Sequence, residues 1–489
     1  MTSMMKRLDV MGMTFIFIEI VIGQLIWVFD PLRFGKHMYW IEAIEVAWVF
    51  VTIPFVVWVI SASLGILRIL KEWTAREGHP QRYVMTGTVI FIRLCIAISS
   101  IISVMLILFN REQIFELGIW VAIAVFLVML HWLVTNKAWK TVALWITIWM
   151  IVLYPTSYML TYPGLTMDMN QYALVDTGHP EAEIIGVLIF ERPAFPIDWL
   201  YAQLFAHYDL VKRSKTALPI REQLQQVRAM KLDANQVGSA VAFQKLGLGQ
   251  GSIPRGVKII QVVQDGPAYG NLQVTDHIIA INEQSVQTME QLLTYMQSVK
   301  PDSKIELTIQ REMEKDILKD STEELTHQLD KAADKLADKA SLSEQVTVTI
   351  TTQASSTDAN RAVIGIVITD DIELDLPLDV TFTPYWLHEG GPSHGAMLTL
   401  SLIDQLTPGG VTQGNQVAGT GTIDIHGNIG RIGGIEQKAF TVARAGADVF
   451  FVPRGQETEA RKGSDRLRIV PVATIEEILT WLQDHPKTR

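Results

Sequence analysis

Five apolar runs occupy the first third of the chain, near residues 11 to 29, 44 to 67, 84 to 109, 117 to 136 and 140 to 160. In hydrocarbon every backbone N–H and C=O must find its partner inside the chain, so apolar runs of about 20 residues there fold as helices. This constrains the fold more than any local motif, and it predicts a bundle of five membrane spans over residues 1–160. Charged residues are only 19% of the 489-residue chain, and the mean hydropathy is +0.23. The apolar excess is concentrated in these runs. A signal peptide is not expected, because further runs follow the first and no short small-residue cleavage site ends it.

Basic residues resist translocation and so orient the spans. Lys6 and Arg7 precede the first, Arg68, Lys71, Arg76 and Arg82 separate the second and third, and Lys137 and Lys140 separate the fourth and fifth. The alternate loops hold only Arg33, Lys36 and Arg111. This places the N-terminus in the cytoplasm and everything after residue 160 outside. The single cysteine, Cys95, lies in the third run, so no intramolecular disulfide is expected. Glu19 and Arg93 fall within the first and third runs, where an unpaired charge is costly; we expect them to pair. A structural ion pair is favoured over a proton or ligand site, since no acidic or histidine relay accompanies them.

Residues 161–235 carry a strand pattern at Ile184–Phe190 and a helical one from Ile197 to Tyr208 but no chemical motif, and are expected to be an extracytoplasmic connecting region. From Gly251 the chain turns to short strands: Gly256–Val263, the turn Asp265–Ala268, then Asp276–Asn282, a helix over Thr288–Val299 and a strand over Lys304–Gln310. This order resembles a PDZ domain of the kind found in bacterial membrane-associated peptidases, expected over 236–355. The resemblance implies that an extended peptide adds to a strand edge, with Gly256, Val257 and Ile259 as peptide-binding residues. A closed groove that only packs against a neighbouring domain is the competing reading. A charged insertion, 313–345, interrupts the hairpin of Lys304–Gln310 and Val346–Thr352; it reads as a solvated helix or flexible insertion, with a partner-binding helix as the sharper alternative.

Residues 356–489 contain the stretch Glu389-Gly390-Gly391-Pro392-Ser393-His394-Gly395, which opens into a helix-period apolar run. The glycines and proline predict a tight turn that leaves Ser393 at a helix N-terminus, where a hydroxyl is either a cap or a nucleophile. A second glycine turn, Gly433-Gly434, enters another helix with Lys438 in its first turn. That is a poor place for a cation and a good one for a neutral amine, which is what a serine nucleophile needs as its base.

The Gly-Pro-Ser-x-Gly turn, the segment Ala418–Asp424, and Gly433–Lys438 followed by Ala445-Gly446-Ala447 resemble the proteolytic domain of Lon-type serine peptidases. The resemblance covers about the last quarter of the chain. It implies an α+β domain in which Ser393 is the nucleophile and Lys438 the general base, with Thr420, Gly391 and His394 as supporting residues. It also implies an oxyanion held by backbone amides at the start of the helix after Ser393. The family usually has alanine where His394 stands; a residue adjacent to the nucleophile points elsewhere, so His394 is expected to shape the pocket rather than act as base.

The sequence therefore predicts a multi-domain chain: an N-terminal transmembrane bundle, a PDZ-like β-rich domain and a C-terminal Lon-type domain. No Gly-x-x-x-x-Gly-Lys-Ser/Thr loop occurs, so ATP is not expected as a cofactor. No metal is expected either, because the histidines are scattered and no His-Glu-x-x-His spacing appears. A net charge of −10 argues against nucleic acid as a partner. The resemblance implies a bacterial membrane serine endopeptidase acting without ATP on proteins or peptides outside the cytoplasm, and it allows a homo-oligomeric ring. Three alternative readings stay open: a catalytically silent PDZ-based receptor or scaffold, a membrane sensor or transporter with an accessory peptidase, and an unusual Ser/His arrangement through His394.

Overall fold

Among the described residues, three of the apolar runs form helical spans long and apolar enough to cross a membrane: Trp40–Lys71, Met85–Phe109 and Phe115–Thr135, with mean hydropathy 2.2, 2.5 and 2.4. Their outward faces are apolar too; Val46, Phe91 and Phe126 are 69%, 66% and 62% exposed. A helix apolar on all sides suits hydrocarbon rather than water. The first run folds as the helix Ser3–Gln24, which carries Lys6, Arg7, Asp9 and Glu19. The last is shorter than its sequence suggests, Trp139–Leu153. Pro155 follows, and Tyr158 to Leu160 are drawn into a β-sheet instead. The computed structural model describes residues 3–33, 38–74, 80–110, 113–136, 138–214, 220–264, 266–312, 343–355, 360–383 and 390–487. Residues 313–342 of the charged insertion, Asp265 of the expected turn and Glu389 lie outside the described residues.

Arg93 does pair, but with Asp9 rather than Glu19. Its guanidinium lies 4.0 Å from the Asp9 carboxylate, donates to Ser61 O at 2.9 Å and meets His131 Nε2 at 2.9 Å. A histidine therefore does accompany the pair, contrary to expectation. The four helices that supply these groups bring together residues no local pattern connects.

The chain forms two compact units, Met1–Leu246 with Leu378–Arg489, and Gly247–Pro377. Within the first, a six-stranded sheet runs in the order Ile469–Val472, Val449–Pro453, Val417–Gly419, Ile184–Pro193, Tyr158–Asp168, Asp209–Lys212. The first four strands are parallel and the last two antiparallel to their neighbours. Half of this sheet comes from the stretch that the sequence suggested merely connects domains. Ile184 to Leu188 is buried on both faces, as a central strand must be. Ile185, Val187 and Ala418 pack on one face against the helix Ile435–Ala445. Gly186 and Gly419 back onto Met169 and Met397 on the other, the latter in the helix Gly395–Leu406. The long helix Ile220–Lys245 covers that second helix, Thr399 Oγ1 donating to Gly238 O at 3.2 Å.

The second unit is a β-sheet in the order Ile366–Leu374, Ser252–Val262, His277–Ile281, Lys304–Glu312, Ser343–Thr351, with the helix Met289–Gln297. The hairpin flanking the charged insertion forms in register from Lys304↔Thr351 to Glu312↔Ser343. The strand after Gly256, however, is not an edge. Gly256, Val257 and Ile259 pair with Asp371, Asp370 and Ile368 on one side, and Val257 pairs with Ile278 on the other. Val257 and Ile259 are fully buried. Gly256 has φ +135°, and a Cβ there would stand 2.5 Å from Ile278 O, so this glycine serves a close strand approach rather than a ligand. The strand outside it, at one edge of the sheet, is Ile366–Leu374, which lies within the 356–489 stretch expected from sequence to belong to the Lon-type domain.

Candidate active site

The helices carrying Ser393 and Lys438 lie on opposite faces of the sheet, and they meet where the central strand Val417–Gly419 ends. Ser393 sits in the 3-10 turn Pro392–His394 that starts the helix Gly395–Leu406. Gly421 N–H and the Thr420 hydroxyl both donate to Ser393 O, at 2.8 and 2.9 Å, which fixes the turn against the strand end. Gly434, with φ +64°, opens the helix Ile435–Ala445; a Cβ at that position would run into Ile189.

Lys438 projects from this helix to place Nζ 2.7 Å from Ser393 Oγ and 2.9 Å from Thr420 Oγ1. It is 1% exposed, and among the described residues no carboxylate forms an ion pair with its amine. Burial draws its pKa from 10.5 down to about 7, because the ammonium form loses its hydration. The Thr420 hydroxyl donates to Ser393 O and so offers its lone pairs to one Lys438 N–H, which turns the amine lone pair toward the Ser393 O–H. Thr420 is 2% exposed and Ser393 is half-buried, so the hydroxyl is reachable while its partner is not. The arrangement can deprotonate a serine hydroxyl as it attacks a carbonyl.

His394 faces away from this pair. Nδ1 lies 2.8 Å from Gly391 O and Nε2 2.7 Å from the Asn235 side-chain amide, which in turn meets Tyr172 Oη. The His394 ring packs edge-on against Tyr172. Burial, aided by Lys231 and Lys438, lowers its pKa to about 4, so the ring is neutral. The atom placed at Nε2 is Asn235 Oδ1; a neutral ring that donates from Nδ1 to Gly391 O has no proton for an oxygen there, so we assign the Asn235 amide the other way round, its NH2 toward Nε2 and its oxygen toward Tyr172 Oη. The histidine therefore braces the turn that carries Ser393. Asn235 and Tyr172 had no local signal in the sequence; they come from a helix and a turn far along the chain.

The expected amides at the start of the helix are already engaged: Gly395 N–H donates to Pro392 O and Ala396 N–H to Gly421 O at 3.1 Å. Gly391 contributes its carbonyl, through His394. Among the described residues no group of three or more His, Cys, Asp or Glu side chains could hold a metal.

Residues 386–483 match the family model of the Lon protease (S16) C-terminal proteolytic domain. This part of the chain is a Lon-type proteolytic domain. Residues 231–325 match the PDZ domain family. Similar proteins include the Lon protease of Neorickettsia sennetsu, 28% identical over 23% of this chain and 13% of that protein. Another is the Lon protease of Aster yellows witches'-broom phytoplasma, 32% identical over 18% of this chain and 12% of that one. The chain thus spans about an eighth of the length of these relatives. Among solved structures, the PDZ domain of an SdrC-like protein from Listeria innocua is 19% identical, with a TM-score of 0.16, covering 23% of this chain and 92% of that one. The chain thus carries a Lon-type proteolytic domain and a PDZ domain.

Proposed function

We propose that the chain is a membrane-anchored serine endopeptidase that works without ATP, using Ser393 as nucleophile and Lys438 as general base on proteins or peptides outside the cytoplasm. The observation that carries this is the buried Lys438 amine 2.7 Å from Ser393 Oγ. Ser393 Oγ passes its proton to the neutral amine and attacks the scissile carbonyl. With Gly395 and Ala396 engaged, the Ser393 amide is the candidate oxyanion donor in this turn. The Lys438 ammonium then protonates the leaving amine, and water, deprotonated by the same lysine, releases the acyl-enzyme.

Two contacts support a Lon-type domain on the side of the membrane opposite the N-terminus. Gln24 at the end of the first helix donates to Val152 O at the end of the last, and Ile197 N–H donates to Ile151 O. Both helix ends therefore face the proteolytic sheet. Ser3–Gln24 has 22 residues, about 33 Å of helix, enough to reach from there across about 30 Å of hydrocarbon. The free edge of Ile366–Leu374, beside the helix Met289–Gln297, is where an extended substrate or regulatory peptide would add.

The test is cleavage of an unfolded model protein by the full chain in detergent, without ATP, beside Ser393→Ala and Lys438→Ala. Activity lost in both variants is the expected result. Equal activity in either variant, or dependence of the wild type on ATP, removes the reading.

A further inference from the structure

The face of the helix Ile435–Ala445 opposite Lys438 is held by the turn that follows the first N-terminal helix. At about 100° per residue, Phe440 and Arg444 lie about 200° and 240° around the helix from Lys438. Arg444 donates to the carbonyls of Val28 at 2.6 Å and Trp27 at 3.4 Å, and its guanidinium lies 5.5 Å from the Trp27 ring centre. Trp27 is 3% exposed, meets Phe440 at 6.2 Å between ring centroids and donates its indole N–H to Tyr208 Oη at 2.8 Å. Asp30, at the end of the turn, accepts from both the amide and the hydroxyl of Thr166 in the sheet. The turn therefore grips the sheet with one end and the helix with the other.

An anchor needs none of this. A tether at the membrane would leave the catalytic helix bare, whereas here a buried indole and a charged hydrogen-bonded pair of carbonyls are spent on it, in the last helical turn, where a cation also meets the negative end of the dipole. We propose that the turn Ile26–Asp30 is a positioning element for the general base: it presses the Lys438 helix onto the sheet, so that the first N-terminal helix belongs to the catalytic apparatus. This rests on the reading of Ser393 and Lys438 as nucleophile and base. A misplacement of about 1 Å in such a pair lowers a rate by about a hundredfold, so loss of the grip is read in the chemical step.

The experiment uses the full chain in detergent micelles as wild type, Trp27→Ala, Arg444→Gln and the conservative Trp27→Phe. Two quantities are followed: amide hydrogen exchange across residues 435–445, and the rate of Ser393 acylation by an activated p-nitrophenyl ester, read as p-nitrophenolate released, across pH. Trp27→Ala and Arg444→Gln are expected to speed exchange at least about tenfold and to slow acylation by about ten- to a hundredfold, with the pH midpoint of acylation moved upward. Trp27→Phe is expected to stay within about threefold of wild type, since it keeps the ring in its socket. Exchange unchanged in both disruptive variants overturns the grip. Faster exchange with acylation and midpoint unchanged overturns its catalytic meaning, since a merely structural contact moves the first and not the second. A wild type that is not acylated at Ser393 overturns the nucleophile reading instead, and is told apart because there the reference itself is inert.

Discussion

Lys438 Nζ stands 2.7 Å from Ser393 Oγ although the two residues belong to helices on opposite faces of one sheet. The end of a central strand is the one place where such helices can exchange a hydrogen bond, and Thr420, the first residue past Val417–Gly419, completes the contact from there. The sheet thus serves as a partition that buries the lysine while leaving the serine open.

The lysine fixes the pH behaviour. With its pKa drawn to about 7, the amine is a base above that pH and an ammonium below it, so hydrolysis is expected to rise through an acid limb near pH 7. The stability sign is the opposite of a favourable ion pair's. Unfolding returns the lysine to its ordinary value of 10.5, so between 7 and 10.5 the unfolded chain binds more protons and stability increases with pH, by up to roughly 1.4 kcal/mol per unit. Below 7 the cost of the buried ammonium is fully present. Lys438→Met is therefore expected to be inactive yet more stable than wild type at pH 6, the gap closing toward pH 10. Denaturant titrations at the two pH values check this; a constant gap would contradict it.

Thr420→Val keeps the volume and removes the acceptor that orients the amine. One hydrogen bond is worth about 1–1.5 kcal/mol, so kcat should fall about tenfold with little change in KM. Steady-state kinetics on a short peptide decide between this and an inert substitution.

His394→Ala separates a brace from a base. The ring is already neutral, its pKa near 4, so its removal should leave the acid limb of the pH profile in place. The loss should appear as about 1–3 kcal/mol of stability, from Gly391 O and the Asn235 amide left without their partner. A limb displaced from pH 7 would return His394 to the proton-transfer chemistry.

The turns that carry Ser393 and Lys438 were legible because each is a local pattern of glycine, proline and helix periodicity. What surrounds them was not. Asn235 and Tyr172 reach His394 from elements whose own sequences name no partner, and the pairing of Val417 with Ile184 joins strands from opposite ends of the chain. Likewise the strand read as starting at Gly256 runs from Ser252 to Val262, and only the return of Ile366–Leu374 after the charged insertion covers the side expected to be an edge. Long-range pairing is decided by burial summed over many residues, and a single strand's pattern does not carry it.

That returning strand gives the PDZ prediction. A peptide added to the sheet should protect the amides of Ile366–Leu374 from exchange and leave unchanged those of Val257, paired on both sides, and Ile259, whose N–H donates to Asp276 O. Hydrogen exchange with and without a substrate-derived extended peptide makes the comparison. Protection centred on Val257 would restore the edge inferred from sequence.

The ion pair inside the helical bundle yields the last prediction, and it discriminates between two carboxylates. Arg93 and Asp9 side chains are 2% and 4% exposed and 4.0 Å apart, with Ser61 bonded to both. Removing one partner of a buried pair strands the other charge and costs about 3–5 kcal/mol, whereas removing both is close to neutral. Arg93→Gln is therefore expected to lower the unfolding temperature in detergent markedly, and Asp9→Asn in the same chain to restore most of it. Glu19→Gln should give no such rescue, because its carboxylate takes no part in the cluster. Rescue by Glu19→Gln and not by Asp9→Asn would reassign the partner, and additive losses in Asp9→Asn/Arg93→Gln would show that the two groups stabilise the bundle independently.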